Sequence, residues 1–250
     1  MPTDAYSEAL DSLSDLGQMR VWSLLVTVFG DLAPDRPLDG PTLSAIMAEI
    51  GIKPEATRVA LHRLRSDGWV ASEKRGRTSL HRLTDQGQRD SDAARARIYG
   101  APDDMDDAAR VILMPAPTDL DPTRFAQIGP RVFMCSIGTS LPEGAMQMTP
   151  IGLPDWLGSQ IETDTMRDAY KSLHAVLTDI REELTSSLTP MQTAALRVMI
   201  VHAWRRLALK HPTLPRAAHS SDWRGHDCRA LVTDLLRRFA RPDLDVIKAA

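Results

Sequence analysis

The sequence predicts an α+β protein in three consecutive parts. Three observations carry this. The first hundred or so residues alternate short amphipathic stretches with one hairpin-like segment, the middle holds two strand-like apolar runs, and the last hundred are almost continuously helical in pattern. A chain of 250 residues has room for more than one core. Its 43% apolar and 25% charged content excludes fibrous, disordered and disulfide-rich classes. The longest apolar run, Val21 to Phe29, is too short for a bilayer and lacks the flanks of a secretory signal, so a cytoplasmic protein is expected. Cys135 and Cys228 stand far apart without a CxxC pairing, which predicts free thiols and no structural zinc.

Residues 1–16 are polar and read as a loosely held extension. A first helix follows, with Val21, Leu24, Leu25, Val28 and Phe29 at helical spacing, and the stretch from Gly30 to Gly40 ends it. Thr42 is the expected N-cap of a short helix carrying Leu43, Ile46, Met47 and Ile50, which Gly51 closes. Pro54 suits the first position of the next helix, running to about Asp67, where its missing N–H costs nothing. On that helix Ala56, Val59, Ala60 and Leu64 are expected to face inward, with Glu55, Arg58, His62 and Arg65 opposite. Two short strands, Trp69 to Glu73 and Thr78 to Leu83, flank the basic turn Lys74-Arg75-Gly76-Arg77 and predict a β-hairpin. Thr84 then caps a helix to about Tyr99. The order helix, helix, turn, helix, hairpin, helix is that of a winged helix-turn-helix, assigned to residues 17–100.

Charge supports a nucleic-acid partner for this part. The chain is acidic overall, at −3, yet from Lys53 to Arg82 eight basic residues face three acidic ones. A local basic patch on an acidic protein suits phosphate contact by one module, a solvated helix face being the plainer alternative. Thr57, Arg58, His62 and Arg65 are the expected contacts from the helix, because arginine can read guanine bidentately and threonine can bind phosphate. Arg63 is expected to turn inward and pair with an acid. Lys74, Arg75 and Arg77 are the expected contacts from the wing, to phosphates or the minor groove.

The acidic run Asp103 to Asp107 reads as a linker. Beyond it, Arg110 to Met114 and Arg131 to Cys135 read as strands with a helix over Asp121 to Ile128 between them, a small α/β unit over residues 101–152. Gly138 to Gly152 reads as loop. Residues 153–250 form the helical C-terminal part: an apolar stripe from Met166 to Leu184, a helix opened by Thr189-Pro190, and a last helix carrying Leu231, Val232, Leu235, Leu236 and Phe239. The stripe is also a possible contributor to a dimer interface. No GxSxG elbow, Walker loop, GxGxxG or HExxH is present, so an enzyme is not expected. His226-Asp-Cys228 invites a nucleophile or metal reading but sits more naturally at a helix start. No metal or redox cofactor is implied.

Three stretches resemble the PaaX family of transcriptional regulators. They are Ser23-Leu-Leu-Val-Thr-Val-Phe-Gly-Asp31; Gly51 to Trp69 with Arg75-Gly-Arg77 and Leu83-Thr-Asp-Gln-Gly87; and His202-Ala-Trp-Arg-Arg206 with Leu214-Pro215 and Asp222-Trp223. The resemblance implies a winged helix, a central ferredoxin-like domain and a helical C-terminal domain, assembled as a homodimer on a double-stranded DNA operator. It further implies a repressor of an aromatic-acid catabolic operon, released by an acyl-CoA effector such as phenylacetyl-CoA. The chain departs from the family pattern where the central part opens, with Asp106-Asp-Ala-Ala-Arg-Val-Ile-Leu in place of a Trp-rich strand. His202, Trp204, Arg205, Arg206 and Trp223 supply aromatic surface and positive charge suited to such an effector. They suit equally a core tryptophan, ion-paired arginines and a satisfied histidine. A winged helix used only for protein contact, or a thioester-acting enzyme, are the alternatives at this stage.

Overall fold

The computed structural model describes residues 5–100 and 108–249, and the acidic stretch expected as a linker lies outside them. The fold is α+β with two small antiparallel sheets. The chain divides into two compact units that do not follow the linear order of segments. One comprises Met1–Ala96, Val176–Ala203 and Leu231–Ala250, the other Arg97–Ala175 and Trp204–Ala230. The expected parts 17–100, 101–152 and 153–250 are contiguous in sequence, whereas each unit draws on separated segments.

The first unit begins with a correction. Residues expected as a loose extension form α1 (Ala5–Asp15), which buries Tyr6, Ala9 and Leu13, and the Tyr6 hydroxyl donates to Glu49 at 2.9 Å. Three apolar side chains at i, i+3 and i+7 suffice to dock a helix whose other residues are polar. There follow α2 (Val21–Leu32), β1 (Leu38–Asp39), α3 (Gly40–Glu49), α4 (Pro54–Ser66), β2 (Val70–Arg75), β3 (Thr78–Leu83) and α5 (Asp85–Tyr99). Helix α2 runs through Gly30 instead of stopping there. The sheet order is β1-β3-β2, antiparallel throughout.

Turn chemistry accounts for the joint between α3 and α4. The N-cap of α3 is Asp39, whose Oδ1 accepts from the Thr42 N–H at 2.8 Å; Thr42 lies inside the first turn and is buried. The helix therefore starts three residues earlier than expected, and the carboxylate two residues upstream of Pro41 satisfies the orphan N–H of Thr42 itself. At the other end Gly51 has φ +82°, its N–H meets the Ala48 carbonyl at 2.9 Å, and Ile52 N–H meets Met47 at 2.9 Å. That paired pattern is a Schellman cap, and it demands a residue free to enter the left-handed region. Helix α4 ends the same way at Gly68, φ +75°, with Gly68 N–H to Arg65 and Trp69 N–H to Leu64.

The rest of this unit comes from α7 (Asp164–Glu183), α8 (Pro190–Ala208), α9 (Gly225–Arg238) and α10 (Leu244–Ala249), whose C-terminal, N-terminal, C-terminal and whole lengths respectively belong to it. Helix α8 starts as expected, with a reciprocal capping box between Thr189 and Gln192 at 3.2 and 3.0 Å. Arg197 of α8 is the central tie. Its Nε and Nη2 reach the Asp31 carboxylate at 2.6 and 3.1 Å, and its Nη1 reaches the Leu236 and Phe239 carbonyls at 2.9 Å each. Every donor group is used, so the end of α2, the body of α8 and the end of α9 share one polar node.

The second unit holds the sheet β5-β6-β4-β7, all antiparallel: β4 (Ala109–Leu113), β5 (Ala126–Gly129), β6 (Val132–Ser136) and β7 (Met146–Met148). Both faces are covered. Ile112, Phe133 and Cys135 pack with Met114 and Phe125 on one, while Met134 and Ala126 pack with Leu157, Leu214 and Ala218 on the other. This explains why Val132 to Cys135 reads as an unbroken apolar run instead of an alternating one. Both expected strands are formed, as β4 and β6. The helix expected over Asp121–Ile128 is not: Asp121 Oδ1 accepts from Thr123 N–H at 2.9 Å, a side-chain-closed turn, and the chain enters β5 directly. The stretch expected as loop contains β7, and α6 (Trp156–Ile161) precedes α7. The α7 stripe is already buried within the chain at Met166, Tyr170, Leu173, Leu177, Ile180 and Leu184, so it offers no face to a second copy.

Candidate nucleic-acid interface

Helix α4 packs on α2 and α3 through Thr57, Ala60 and Leu64, all buried. Two expectations are thereby exchanged. Thr57, expected to contact DNA, is 3% exposed and donates its hydroxyl to the Lys53 carbonyl at 3.3 Å. Val59, expected inside, is 72% exposed. The apolar count of the helix suggested one inner face; contacts with α2 and α3 select a face turned by less than one residue position, enough to bring Thr57 in and Val59 out while Ala60 and Leu64 stay buried.

The outer face of α4 carries Glu55, Arg58, Val59, His62, Arg65 and Ser66, all exposed. Arg58 Nη2 meets Glu55 Oε1 at 2.8 Å, an exposed i,i+3 pair that orients the guanidinium at little energetic gain. Arg63 does pair with an acid, Asp67 at 3.5 Å, but does so in solvent, with its guanidinium 5.6 Å from the Trp22 ring centroid. The β2–β3 hairpin closes through Arg75 paired with Thr78, leaving Gly76 and Arg77 as a two-residue loop. Gly76 has φ +63° while Arg77 does not enter the positive-φ region, as in a type II′ turn with glycine first. Lys74, Arg75 and Arg77 are all exposed at this tip. At the hairpin base His81 is buried and hydrogen-bonded to Ser72 at 2.7 Å; burial lowers its pKa, with Arg65 adding to the effect. The unit thus presents an exposed cationic helix face and a cationic hairpin tip from one compact frame.

The residues expected to hold an effector fall in both units. His202 belongs to the first unit, buried 3.5 Å from the Thr27 hydroxyl. Trp204, Arg205, Arg206 and Trp223 belong to the second. Trp204 is 2% exposed and donates its indole N–H to the Ile98 carbonyl at 3.0 Å, while Arg229 lies 5.1 Å from its ring centroid. Trp223 is 7% exposed and stacks on His219 at 4.5 Å. The cavity bordered by both tryptophans and by Tyr170 has a volume of about 30 Å³, enough for one water. Arg205 and Arg206 are half-buried, and burial lowers the pKa of Arg205. Cys228, at the suspected His-Asp-Cys cluster, is fully buried beneath Tyr170, and burial raises its thiol pKa strongly, opposite to what a nucleophile needs. Among the described residues, no three of His, Cys, Asp and Glu are grouped to hold a metal, and no helix is long and apolar enough to cross a membrane.

Two family models match this chain. The PaaX-like protein model covers residues 20–87, from α2 into α5, and the PaaX-like protein C-terminal domain model covers residues 161–248. The chain belongs to the PaaX-like family. It is 24% identical over 253 residues to the transcriptional repressor PaaX of Escherichia coli K12, an alignment covering 87% of this chain and 80% of that protein. Its fold is similar to the solved structure of the uncharacterized protein Rv0674 from Mycobacterium tuberculosis, with a TM-score of 0.55 and 19% identity over 91% of this chain and 97% of that one.

The second unit of this PaaX-like protein contains a polar site that sequence patterns missed. Glu162, buried, accepts from the Ser220 N–H at 2.9 Å and the Ser220 hydroxyl, and its Oε1 lies 2.9 Å from His219 Nδ1. His226 approaches His219 edge-on at 5.4 Å. No spacing rule joins residue 162 to residues 219 and 220. Burial, followed by neighbouring cationic and histidine groups, pushes His211 and His226 down to about 4. The fold therefore keeps both neutral, whereas the unfolded chain takes up protons near the ordinary value of 6.5. Their contribution is complete above about pH 6.5 and is lost as pH falls towards 4. Urea midpoints of the second unit, followed by tryptophan fluorescence, are expected to be lower at about pH 5 than at about pH 7.5. The His211→Gln/His226→Gln variant should show a smaller drop; an equal drop would assign the pH dependence elsewhere.

Proposed function

We propose that this PaaX-like protein is a transcriptional regulator whose first unit is a winged helix-turn-helix, with α4 as the recognition helix and the β2–β3 hairpin as the wing. One observation carries the reading: Arg58, His62 and Arg65 on the outer face of α4 and Lys74, Arg75 and Arg77 at the hairpin tip are all solvent-exposed within one compact unit. The named relative is a repressor, and a family model spans this same segment. Arginines on α4 would meet base edges in the major groove and the wing would meet phosphate. The wrong sign of the whole-chain charge is no obstacle, because only the local field matters at a Debye length of about 8 Å.

The protein acts in the cytoplasm as a homodimer on a partly palindromic operator, without catalysis. Edge strand β7 supports self-association: Met146, Gln147 and Met148 are exposed along a row of unpaired backbone groups, with Trp156 and Ile151 also exposed in this unit. The sheet order β5-β6-β4-β7 supports reading this unit as a reduced ferredoxin-like domain, with turns in place of the crossover helices. The effector is an acyl-CoA such as phenylacetyl-CoA, and with a cavity of about 30 Å³ beside Trp204 and Trp223 it can enter there only by a conformational shift.

A gel shift on the promoter adjoining the protein's own gene tests the reading, with and without phenylacetyl-CoA. Specific binding is expected for the wild type, and loss of it for Arg58→Ala/Arg65→Ala. Release by the thioester supports the effector; binding indifferent to it points to another ligand. Absence of specific binding here and in an unbiased duplex selection would leave a protein-interaction module as the better account.

A further inference from the structure

We infer that Val59 is a base-reading residue that recognises the 5-methyl group of a thymine in the major groove. The inference rests on the reading of α4 as the recognition helix. Val59 lies on the outer face of α4, with the exposed polar residues Glu55, His62 and Arg63 one turn away and half-buried Ala56 on its inner side. Among the described residues it stays largely uncovered. Val59 and Val246 are the two large apolar side chains of this unit left exposed among the described residues, and Val246 lies on α10, outside the helix face and hairpin tip that carry the proposed contacts. Valine is also a weaker helix former than the long polar residues around it, so neither burial nor propensity accounts for it there.

The chemistry of the groove does. Every base-edge feature of the major groove is a hydrogen-bond donor or acceptor except one, the thymine methyl. A branched side chain without a polar atom gains nothing at a donor or acceptor and gains by desolvation at a methyl. Arg58, held by Glu55 at 2.8 Å, and Arg65 share one stripe of this outer face, with Val59 roughly 100–120° around the helix from them, so a helix seated by those cations presents the valine to a neighbouring base pair. Its short side chain allows close approach, and its exposure of 72% leaves almost the whole side chain to be covered on binding.

The test separates this inference from the reading beneath it. A binding site is enriched from a random duplex pool with the full chain, and the Arg65→Ala variant is run in parallel. In the enriched site each thymine is replaced singly by deoxyuridine, which removes the methyl and nothing else. At one position and its symmetry mate the wild type is expected to lose about fourfold in affinity, the worth of one buried carbon. Val59→Ala, which folds because the site is exposed and alanine favours helix, is expected to bind thymine and uracil duplexes alike at that position. A wild type indifferent to every uracil, or a uracil effect that survives Val59→Ala, overturns the inference while Arg65-dependent enrichment upholds the recognition helix. A pool that yields no enriched site overturns both.

Discussion

Replacing Arg197 with methionine is expected to lower the unfolding free energy of the first unit by about 3–5 kcal/mol, the usual cost of stranding one member of a buried ion pair. Asp31 has no exposed side-chain surface, and its remaining cation, Arg241, stands 3.9 Å away and is itself more than a third exposed. The Leu236 and Phe239 carbonyls lose their donors in the same step. Asp31→Ala should cost a similar amount by leaving the guanidinium buried with two carbonyls and no counter-charge. The Asp31→Leu/Arg197→Met pair should cost less than the sum, because an apolar pair leaves neither charge stranded. Urea unfolding at neutral pH measures all three. A single variant within about 1 kcal/mol of wild type would mean that solvent enters the site, contrary to the burial observed. Because α2 packs on α4, loss of this node is also expected to reduce DNA binding only in proportion to the fraction unfolded.

Removing the three wing cations should have the opposite profile, a large binding defect with an unchanged fold. In Lys74→Ala/Arg75→Ala/Arg77→Ala every altered side chain is exposed, so the urea midpoint is expected to stay put. If all three contact phosphate, each contributes about 0.9 to the slope of log affinity against log salt, and the slope should become shallower by about 2.7 for each bound protomer. Between about 50 and 200 mM salt, wild-type binding should then fall roughly fortyfold further than that of the variant for each bound protomer. Arg58→Ala/Arg65→Ala should instead flatten discrimination among base sequences, at about 1–3 kcal/mol for each lost bidentate contact. A salt slope unchanged by the wing substitutions would remove the hairpin from the interface and leave α4 to act alone.

Much of this was legible in the chain before any coordinates. Gly51, Gly68 and Gly76 marked two helix ends and a hairpin loop, and each occupies the positive φ that its turn requires. Thr84 accepts from the Gly87 N–H at 3.0 Å, and Thr189 with Gln192 opens α8, both as the cap patterns indicate. The cationic residues of α4 and the wing are exposed where their polarity places them. Such signals are complete within four to six residues, because backbone groups at helix ends and tight turns find their partners locally.

Other features had no local signal. Thr57 and Val59 changed places because composition alone does not set which side of α4 meets α2 and α3; contacts from two other helices do. Residues 5–15 looked too polar to dock, and the structure needs only three of their side chains for it. Arg197 finds Asp31 across 166 residues and Glu162 finds His219 across 57, distances at which a sequence carries no register. By itself, then, the sequence determined the elements, their caps and the basic surface. Tertiary structure decided which faces are buried, which charges are paired and how segments divide between units, because burial depends on partners that the folded chain brings together from its far ends.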